Sequence, residues 1–177
     1  MKNLIKEMFT VITTTERSNN TKSDLIQFFI FTKNQKDCLV PIKNLTKHSY
    51  FAGHNVSVEL KYPLWISYLI SLPFLFIVLW RMFQENKDQR EFFKYFFDQY
   101  WLMYGYYITA CIWLDKTNPN AIILANDHNY PARTILKVAK EKKIPTFYFQ
   151  HASVTDKFPP LSFDYALLDG VDALEKY

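Results

Sequence analysis

The chain has 177 residues, of which 49% are hydrophobic and 21% charged, so it can form one domain with a sizeable core. Its 3 glycines, Gly53, Gly105 and Gly170, lie far apart, which excludes the glycine-rich loops that hold nucleotide phosphates. The formal net charge of +4 is too small to indicate nucleic acid as a partner, and it fits an anionic substrate or membrane surface.

The cysteines and the amino terminus indicate a reducing compartment. Cys38 and Cys111 do not form a CxxC pair, so neither a disulfide framework nor a zinc cluster is predicted. The first residues are charged, but no apolar run of signal-peptide length follows before Glu16. We therefore expect a cytoplasmic protein, and no motif predicts a cofactor.

Residues 1–61 are expected to form an N-terminal α/β segment. Residues 2–12 predict a short helix, and the polar residues 34–37 predict a turn. Short runs rich in β-branched and aromatic residues predict three strands, over 25–31, 38–42 and 56–60.

Residues 62–118 are expected to form long apolar and aromatic helices, for which contact with a membrane is one alternative. Residues 62–80 are uncharged and nearly long enough to span a bilayer, and three alternatives are open for them. The first alternative is a helix that is buried in or docked on a globular domain. The second is a helix that lies on the inner membrane face, and the third is a transmembrane span. Pro73, at the centre, argues against the span.

The second half of this segment predicts one long helix. A polar linker is expected over 84–90, and over 91–115 aromatic and aliphatic residues recur every three or four positions. Asn118 and Pro119 end the helix. An aromatic stripe of this kind usually packs in a protein core, and this is the interpretation that we favour.

The C-terminal segment, residues 119–177, predicts a β-α-β-β core. Apolar strands are expected over 121–125, 146–150 and 163–168, with a helix that begins near Pro131 between the first two. A strand–helix–strand unit implies a right-handed crossover and parallel strands. The predicted fold class is therefore α/β with a parallel sheet.

Polar residues follow the first two of these strands, where ligands of open α/β sheets bind. A short crossover favours neighbouring strands, so we expect the two polar clusters side by side at one rim, next to a helix N-terminus that favours anions. Three residues are catalytic candidates: His151, Asp127 and His128. Four are substrate-binding candidates: Asn126, Asn129, Gln150 and Ser153.

General base catalysis is the chemistry that this rim predicts. A histidine oriented by a carboxylate can take a proton from an acceptor hydroxyl near neutral pH, and His151 is the favoured base, assisted by Asp127 or His128. The alternative is structural: Asp127 caps the following helix, and His128 packs under the loop. No pair of residues has a diagnostic metal-ligand spacing, so no metal is predicted.

Three stretches of the C-terminal segment resemble one enzyme family. Residues 125–129, 149–153 (Phe-Gln-His-Ala-Ser) and 158–164 are similar to the N-terminal half of GT-B-fold enzymes of bacterial surface polysaccharides. These include capsule glycosyltransferases, CDP-glycerol glycerophosphotransferase-like enzymes and the UDP-N-acetylglucosamine 2-epimerase fold. The match covers about residues 119–177, and Ala152 stands where the family motif has glycine. The resemblance implies a Rossmann-like parallel sheet with flanking helices, the N-terminal half of a GT-B-like fold.

The resemblance implies that the chain is the acceptor-side domain of a membrane-associated glycosyltransferase or glycerophosphotransferase, with His151 facing the cleft. The donor, a nucleotide-activated sugar or glycerol, would be held by a second GT-B domain, which is expected after Tyr177 and is absent from the 177 residues. The implied acceptor is a lipid-linked molecule or a saccharide, and the implied location is the inner face of the cell membrane. The alternative is a non-catalytic, truncated module that binds a partner or a membrane.

Overall fold

Strands and helices alternate along most of the chain in the computed structural model, which describes residues 25–54, 56–126, 128–155 and 160–177. The strands are β1 (Ile26–Ile30), β2 (Ser49–Gly53), β3 (Leu60–Lys61), β4 (Ala121–Leu124), β5 (Thr146–Phe149) and β6 (Tyr165–Leu167). The helices are α1 (Lys33–Leu45), α2 (Leu64–Gln84), α3 (Lys87–Tyr95), α4 (Phe97–Thr117), α5 (Tyr130–Glu141) and α6 (Val171–Lys176). The helix predicted over 2–12 lies outside the described residues.

These strands form one sheet in which every strand is parallel to its neighbours, in the order β3-β2-β1-β4-β5-β6. The chain builds outward from β1 through β2 to β3, and then returns to the other side of β1 with β4, β5 and β6. This is the strand order of a doubly wound, Rossmann-like α/β fold. The predicted α/β fold class with a parallel sheet is confirmed.

Both faces of the central strands are buried, as expected for a parallel sheet covered by helices. Successive side chains of a strand point to opposite faces, so Phe29 packs in one core cluster while Phe28 and Ile30 pack in another. The first cluster joins the sheet to α4 and α5, and the second joins it to α1. Ile135 of α5 and Leu39 of α1 are fully buried in these two clusters.

A helix occupies residues for which the sequence predicted a turn and a strand. α1 begins after Thr32, whose side chain accepts a hydrogen bond from the backbone N–H of Gln35 (3.3 Å). Gln35 and Leu39, four positions apart on one face of the helix, are buried. The turn over 34–37 and the strand over 38–42 were therefore wrong, because a capped helix with a buried face outweighs local strand propensity.

The second strand was not predicted, and the third is shorter than expected. β2 ends at Gly53, which pairs with Ile30 of β1. A Cβ atom at position 53 would lie 1.8 Å from the Ile30 carbonyl oxygen, so only glycine permits this approach of the two backbones. Of the strand predicted over 56–60, only Leu60 pairs in the sheet, as the first residue of β3.

The long helix predicted over 91–115 is two helices. α3 begins after Asn86, whose side chain accepts a hydrogen bond from the backbone N–H of Gln89 (3.0 Å), so part of the linker predicted over 84–90 is helical. Phe96 separates the end of α3 from the start of α4 and has a non-helical backbone conformation. The side-chain cap and the break were not visible in the hydrophobic period, which continues across both helices.

α2 is the one helix among the described residues that is long and apolar enough to span a membrane, by length and composition. Its buried residues are Ser67, Ser71 and Val78, which lie on the side that packs against α4. Phe76 and Trp80, on the opposite side, are 74% and 62% exposed. α2 is therefore not buried in a globular core, and only one of its sides docks on the rest of the domain. The two membrane alternatives, a helix on the membrane face and a transmembrane span, stay predictions.

Candidate functional site

The carboxyl ends of β4 and β5 are neighbours, as the short crossover predicted. Leu124 pairs with Tyr148, and the same register places Asn126 level with Gln150, two residues further on. The two polar clusters therefore share one edge of the sheet. α5 connects the two strands, and its N-terminus lies at this carboxyl edge.

The polar turn after β4 is held by Asn126, which is 7% exposed. Its Oδ1 atom accepts hydrogen bonds from the backbone N–H groups of His128 (3.2 Å) and Asn129 (3.1 Å). The Oδ1 atom of Asn129 accepts from the N–H of Ala132 (2.9 Å), which makes Asn129 the N-cap of α5. The capping role considered for Asp127 thus belongs to Asn129, and Asp127 itself lies outside the described residues.

The polar cluster after β5 also has structural partners. Gln150 accepts a hydrogen bond at Oε1 from the backbone N–H of Asp169 (2.8 Å) and donates one from Nε2 to the carbonyl oxygen of Ala152 (3.0 Å). The backbone N–H of Gln150 donates to the carbonyl oxygen of Leu167 in β6 (3.1 Å). Gln150 therefore joins the ends of β5 and β6, whereas Ser153 is exposed.

Each of the two polar clusters brings an imidazole to this edge, because His151 follows β5 and His128 follows β4. His151 is half-buried and His128 is exposed. An imidazole in such a position is suited to accept a proton from the hydroxyl group of a bound molecule. The one carboxylate in the two polar clusters belongs to Asp127, so the orientation of either imidazole by a carboxylate stays a prediction.

The strand order predicts a ligand crevice between the ends of β1 and β4, a position that the sequence did not reveal. Ligands of open α/β sheets bind where the strand order reverses, and in this sheet it reverses at β1. If the strand pairings are continued beyond the last paired residues, His54, Phe31, Asn126 and Gln150 align side by side across the carboxyl edge. The N-termini of α1 and α5 follow β1 and β4 directly, so both bring partial positive charge to this crevice.

His54 is the candidate that sequence reasoning missed, because it follows the unpredicted strand β2. Of the 4 histidines, three follow strand ends at the carboxyl edge, namely His54, His128 and His151, while His48 precedes β2 at the opposite edge. A histidine directly after a short apolar run that ends in glycine was the available signal. Within the described part of the chain, no group of three His, Cys, Asp or Glu side chains is arranged to hold a metal ion.

Asp164 and Tyr107 have shifted pKa values because each forms a hydrogen bond that links two elements of the fold. Hydrogen bonds from Thr146 lower the pKa of Asp164, and this pair joins the amino-terminal ends of β5 and β6. A hydrogen bond from the Tyr107 hydroxyl to Glu141 (2.7 Å) raises the pKa of Tyr107 to about 12 and links α4 to α5. Neither pair lies at the carboxyl edge, so neither belongs to the candidate site.

A depression of about 250 Å³ lies on the outer surface of α5 and is lined by Arg133, Leu136, Lys137, Lys140, Glu141 and Ser162. Apart from Arg133, its helical residues come from the middle and C-terminal part of α5, whereas the candidate site lies before the first residue of that helix. Lys137 pairs with Glu141 (2.9 Å), which partly neutralises its basic lining. The depression is therefore separate from the candidate site.

Comparisons with known proteins identified no relative of the chain. No family model, no curated protein and no solved structure matches the chain. The sequence resemblance to GT-B-fold enzymes therefore stays a prediction, and the fold assignment stands on the sheet topology.

Proposed function

We propose that the chain is the acceptor-side domain of a membrane-associated glycosyltransferase, or glycerophosphotransferase, of bacterial surface-polysaccharide synthesis. The observation that carries the proposal is the shared carboxyl edge of β4 and β5, where His128 and His151 lie near the point at which the strand order of a Rossmann-like sheet reverses. The sequence resemblance supplies the reaction class. A nucleotide-activated sugar or glycerol, held by a second domain, would be the donor.

In the proposed reaction the imidazole of His151 accepts the proton of the acceptor hydroxyl. The acceptor oxygen forms a bond to the sugar carbon, or to the phosphorus that carries glycerol, and the nucleotide leaves with the electron pair of the broken bond. A general base of this kind accelerates a reaction by about 10²- to 10⁴-fold. The N-termini of α1 and α5 would favour an anionic group, such as a phosphate, on the acceptor.

A non-catalytic module is the second candidate function, and three side-chain contacts favour it. Asn126, Asn129 and Gln150, which were expected to bind substrate, each use a side-chain oxygen to accept a hydrogen bond from the backbone. These oxygens hold loops in place. In this alternative the carboxyl edge is a surface for a partner or a membrane, and His128 and His151 contribute to its shape.

Substitution of His151 in the native organism tests the first proposal. Transfer of label from UDP-, CMP- and CDP-linked donors to lipid and saccharide acceptors is measured in isolated membranes, with each variant encoded at the chromosomal gene. We expect His151→Ala to lower transfer by about 100-fold or more. The control is His48→Asn, because His48 lies at the opposite edge and has a φ of 56°, which asparagine tolerates.

Two results would decide against the enzyme proposal. Full transfer activity in a folded His151→Ala variant would remove His151 from the mechanism. Transfer activity that survives deletion of the whole gene would favour the non-catalytic module.

A further inference from the structure

The interface between α2 and α4 contains buried polar side chains. Ser67 donates a hydrogen bond from Oγ to Oγ1 of Thr109 (2.9 Å), and Ser71 accepts one at Oγ from the backbone N–H of Gly105 (3.0 Å). Both serines are fully buried and Thr109 is 2% exposed. Helix pairs of water-soluble proteins usually join apolar faces, so the buried serine and threonine side chains distinguish this interface.

Small residues bring the two helices into close contact. A Cβ atom at Gly105 would lie 1.9 Å from the carbonyl oxygen of Ser67 and 2.2 Å from Oγ of Ser71. Trp101 adds a hydrogen bond from Nε1 to the carbonyl oxygen of Ser71 (2.7 Å). Packing through glycine, serine and threonine, with hydrogen bonds across the interface, is typical of helices that associate in lipid.

The outer side of α2 is a continuous apolar surface, which we call the α2 stripe. Its residues recur at spacings of three and four: Leu69, Leu72, Phe76, Trp80 and Phe83. Each is at least half exposed. Isolated exposed apolar residues are normal on soluble proteins, whereas a contiguous patch of this kind marks an interaction surface.

Charge on α2 fits an anionic surface. Between Lys61 and Glu85 the only charged residue is Arg81, so no carboxylate interrupts the α2 stripe. Trp80 lies within the stripe, Arg81 is the next residue, and both are residue types that anchor a helix at the level of lipid headgroups.

The segments that precede and follow α2 argue against a transmembrane arrangement of this helix. Just before the helix, Tyr62 is 2% exposed in the core, with its ring 5.5 Å from that of Trp113. α4 is held against the sheet and α5 by Trp113 and by the bond from Tyr107 to Glu141. α2 would have to carry the charged helix α3 (Lys87–Tyr95) across the hydrocarbon core, which is costly. The stripe is therefore suited to lie along a bilayer rather than through it.

We propose that the α2 stripe docks on a phospholipid bilayer that contains anionic lipid, with α2 lying in the interface. α4 ends just before the amino end of β4, so its first residues lie toward the carboxyl side of the domain, where the candidate site is. The docking deepens the proposed function by bringing the carboxyl edge to a lipid-linked acceptor, and only this last step depends on that function.

Vesicle flotation tests the docking. The complete chain is mixed with phosphatidylcholine vesicles, with and without phosphatidylglycerol, and centrifuged through a density gradient. We expect the chain to float, most completely with phosphatidylglycerol, and we expect Phe76→Glu/Trp80→Glu to lower its partition by about tenfold or more. The matched control is Leu45→Glu/Val171→Glu, since these residues are 87% and 70% exposed on other helices and should not affect flotation.

The depth of α2 is measured by quenching of tryptophan fluorescence with brominated lipids. Subtracting the signal of Trp80→Phe isolates Trp80, for which we expect stronger quenching by bromine near the headgroups than by bromine near the bilayer centre. The opposite ranking would overturn interfacial docking in favour of a span. Absence of flotation would overturn it too, and so would a dimer in sedimentation experiments that Phe76→Glu/Trp80→Glu dissolves, because the occupant would then be a second copy.

Failure of the docking is distinguishable from failure of the proposed function. Flotation requires no donor or acceptor, and His151→Ala should float as the unmodified chain does. If His151→Ala loses transfer activity but floats normally, the result bears on the catalytic role of His151 and not on docking. If the chain does not float, the result bears on the α2 stripe and not on His151.

Discussion

Asp164 and Thr146 join the amino-terminal ends of two strands through reciprocal hydrogen bonds. Oδ2 of Asp164 accepts from the backbone N–H (2.8 Å) and the hydroxyl (2.7 Å) of Thr146, and the N–H of Asp164 donates back to that hydroxyl (3.1 Å). These bonds stabilise the charged carboxylate, so the pKa of Asp164 is lower in the folded protein than its ordinary value of 3.8. Thr146 is fully buried, so these bonds give β6 a fixed position at the edge of the sheet.

We expect Asp164→Ala to lower the free energy of unfolding by about 1 kcal/mol at neutral pH, because the carboxylate is exposed and its bonds are partly screened. Since the folded pKa is depressed, this contribution is complete above about pH 4 and is lost as the pH falls through the folded pKa. Urea unfolding at several pH values measures both effects.

The control for this pair is Asp172→Ala, which removes a carboxylate whose side chain is 80% exposed and is paired with Lys176. Its effect should stay within about 0.5 kcal/mol. A stability difference between Asp164→Ala and the unmodified chain that is equally large at pH 3 and pH 7 would contradict the account.

At the scale of elements, helix caps decided several boundaries that the hydrophobic pattern did not predict. The run 38–42 includes the β-branched residues Val40 and Ile42, which favoured a strand, yet it is helical because Thr32 caps α1 and Leu39 packs in the core. At α5 local sequence and structure agree, since Pro131 lies in the first turn and Asn129 is the cap.

Substitution of Asn129 separates its capping role from the binding role that the sequence suggested. Asn129→Ala should lower the free energy of unfolding by about 1 kcal/mol, whereas Asn129→Asp should keep the cap and interact favourably with the helix dipole. The control Asn34→Ala, at an exposed position in α1, should change stability by less than about 0.5 kcal/mol. Urea unfolding followed by circular dichroism gives the three values.

An Asn129→Ala variant as stable as the unmodified chain would show that the cap contributes nothing. Normal stability of Asn129→Asp together with weaker label transfer would assign Asn129 a second role, in binding an anionic acceptor.

At the scale of the whole molecule, the strand order makes the sheet unequal in stability. β1 and β4 have a partner on both sides, and residues such as Phe28, Ile30 and Leu124 are fully buried. β6 is an edge strand whose Tyr165 and Leu167 are 59% and 51% exposed. Local opening should therefore be easiest at the β6 edge.

Hydrogen exchange measured by mass spectrometry tests this gradient. We expect amides of β1 and β4 to exchange at least about 100-fold more slowly than those of β6, because only global unfolding exposes the central strands. Equal protection of β6 would mean that its edge is covered in solution, and a dilution series would show whether a second copy covers it.

The candidate site was predictable in position but not in the roles of its residues. The adjacency of Asn126 and Gln150 follows from a short crossover, which local sequence encodes. That both side chains hold loops depends on which backbone groups come within hydrogen-bond distance, and this is a property of the folded chain. His54 was missed for a related reason, since the five residues of β2 become a strand only by pairing with β1.

The sequence by itself determined the parallel α/β class and the β4–α5–β5 unit, because periodicity, proline and turn residues act over short distances along the chain. Only the tertiary structure decided that β1 lies between β2 and β4. The pairing of Phe29 with Leu124 joins residues far apart in sequence, and no local pattern encodes it. The tertiary structure also decided that Ser67 and Ser71 of α2 turn inward, because the close approach at Gly105 leaves room only for small side chains at these two positions.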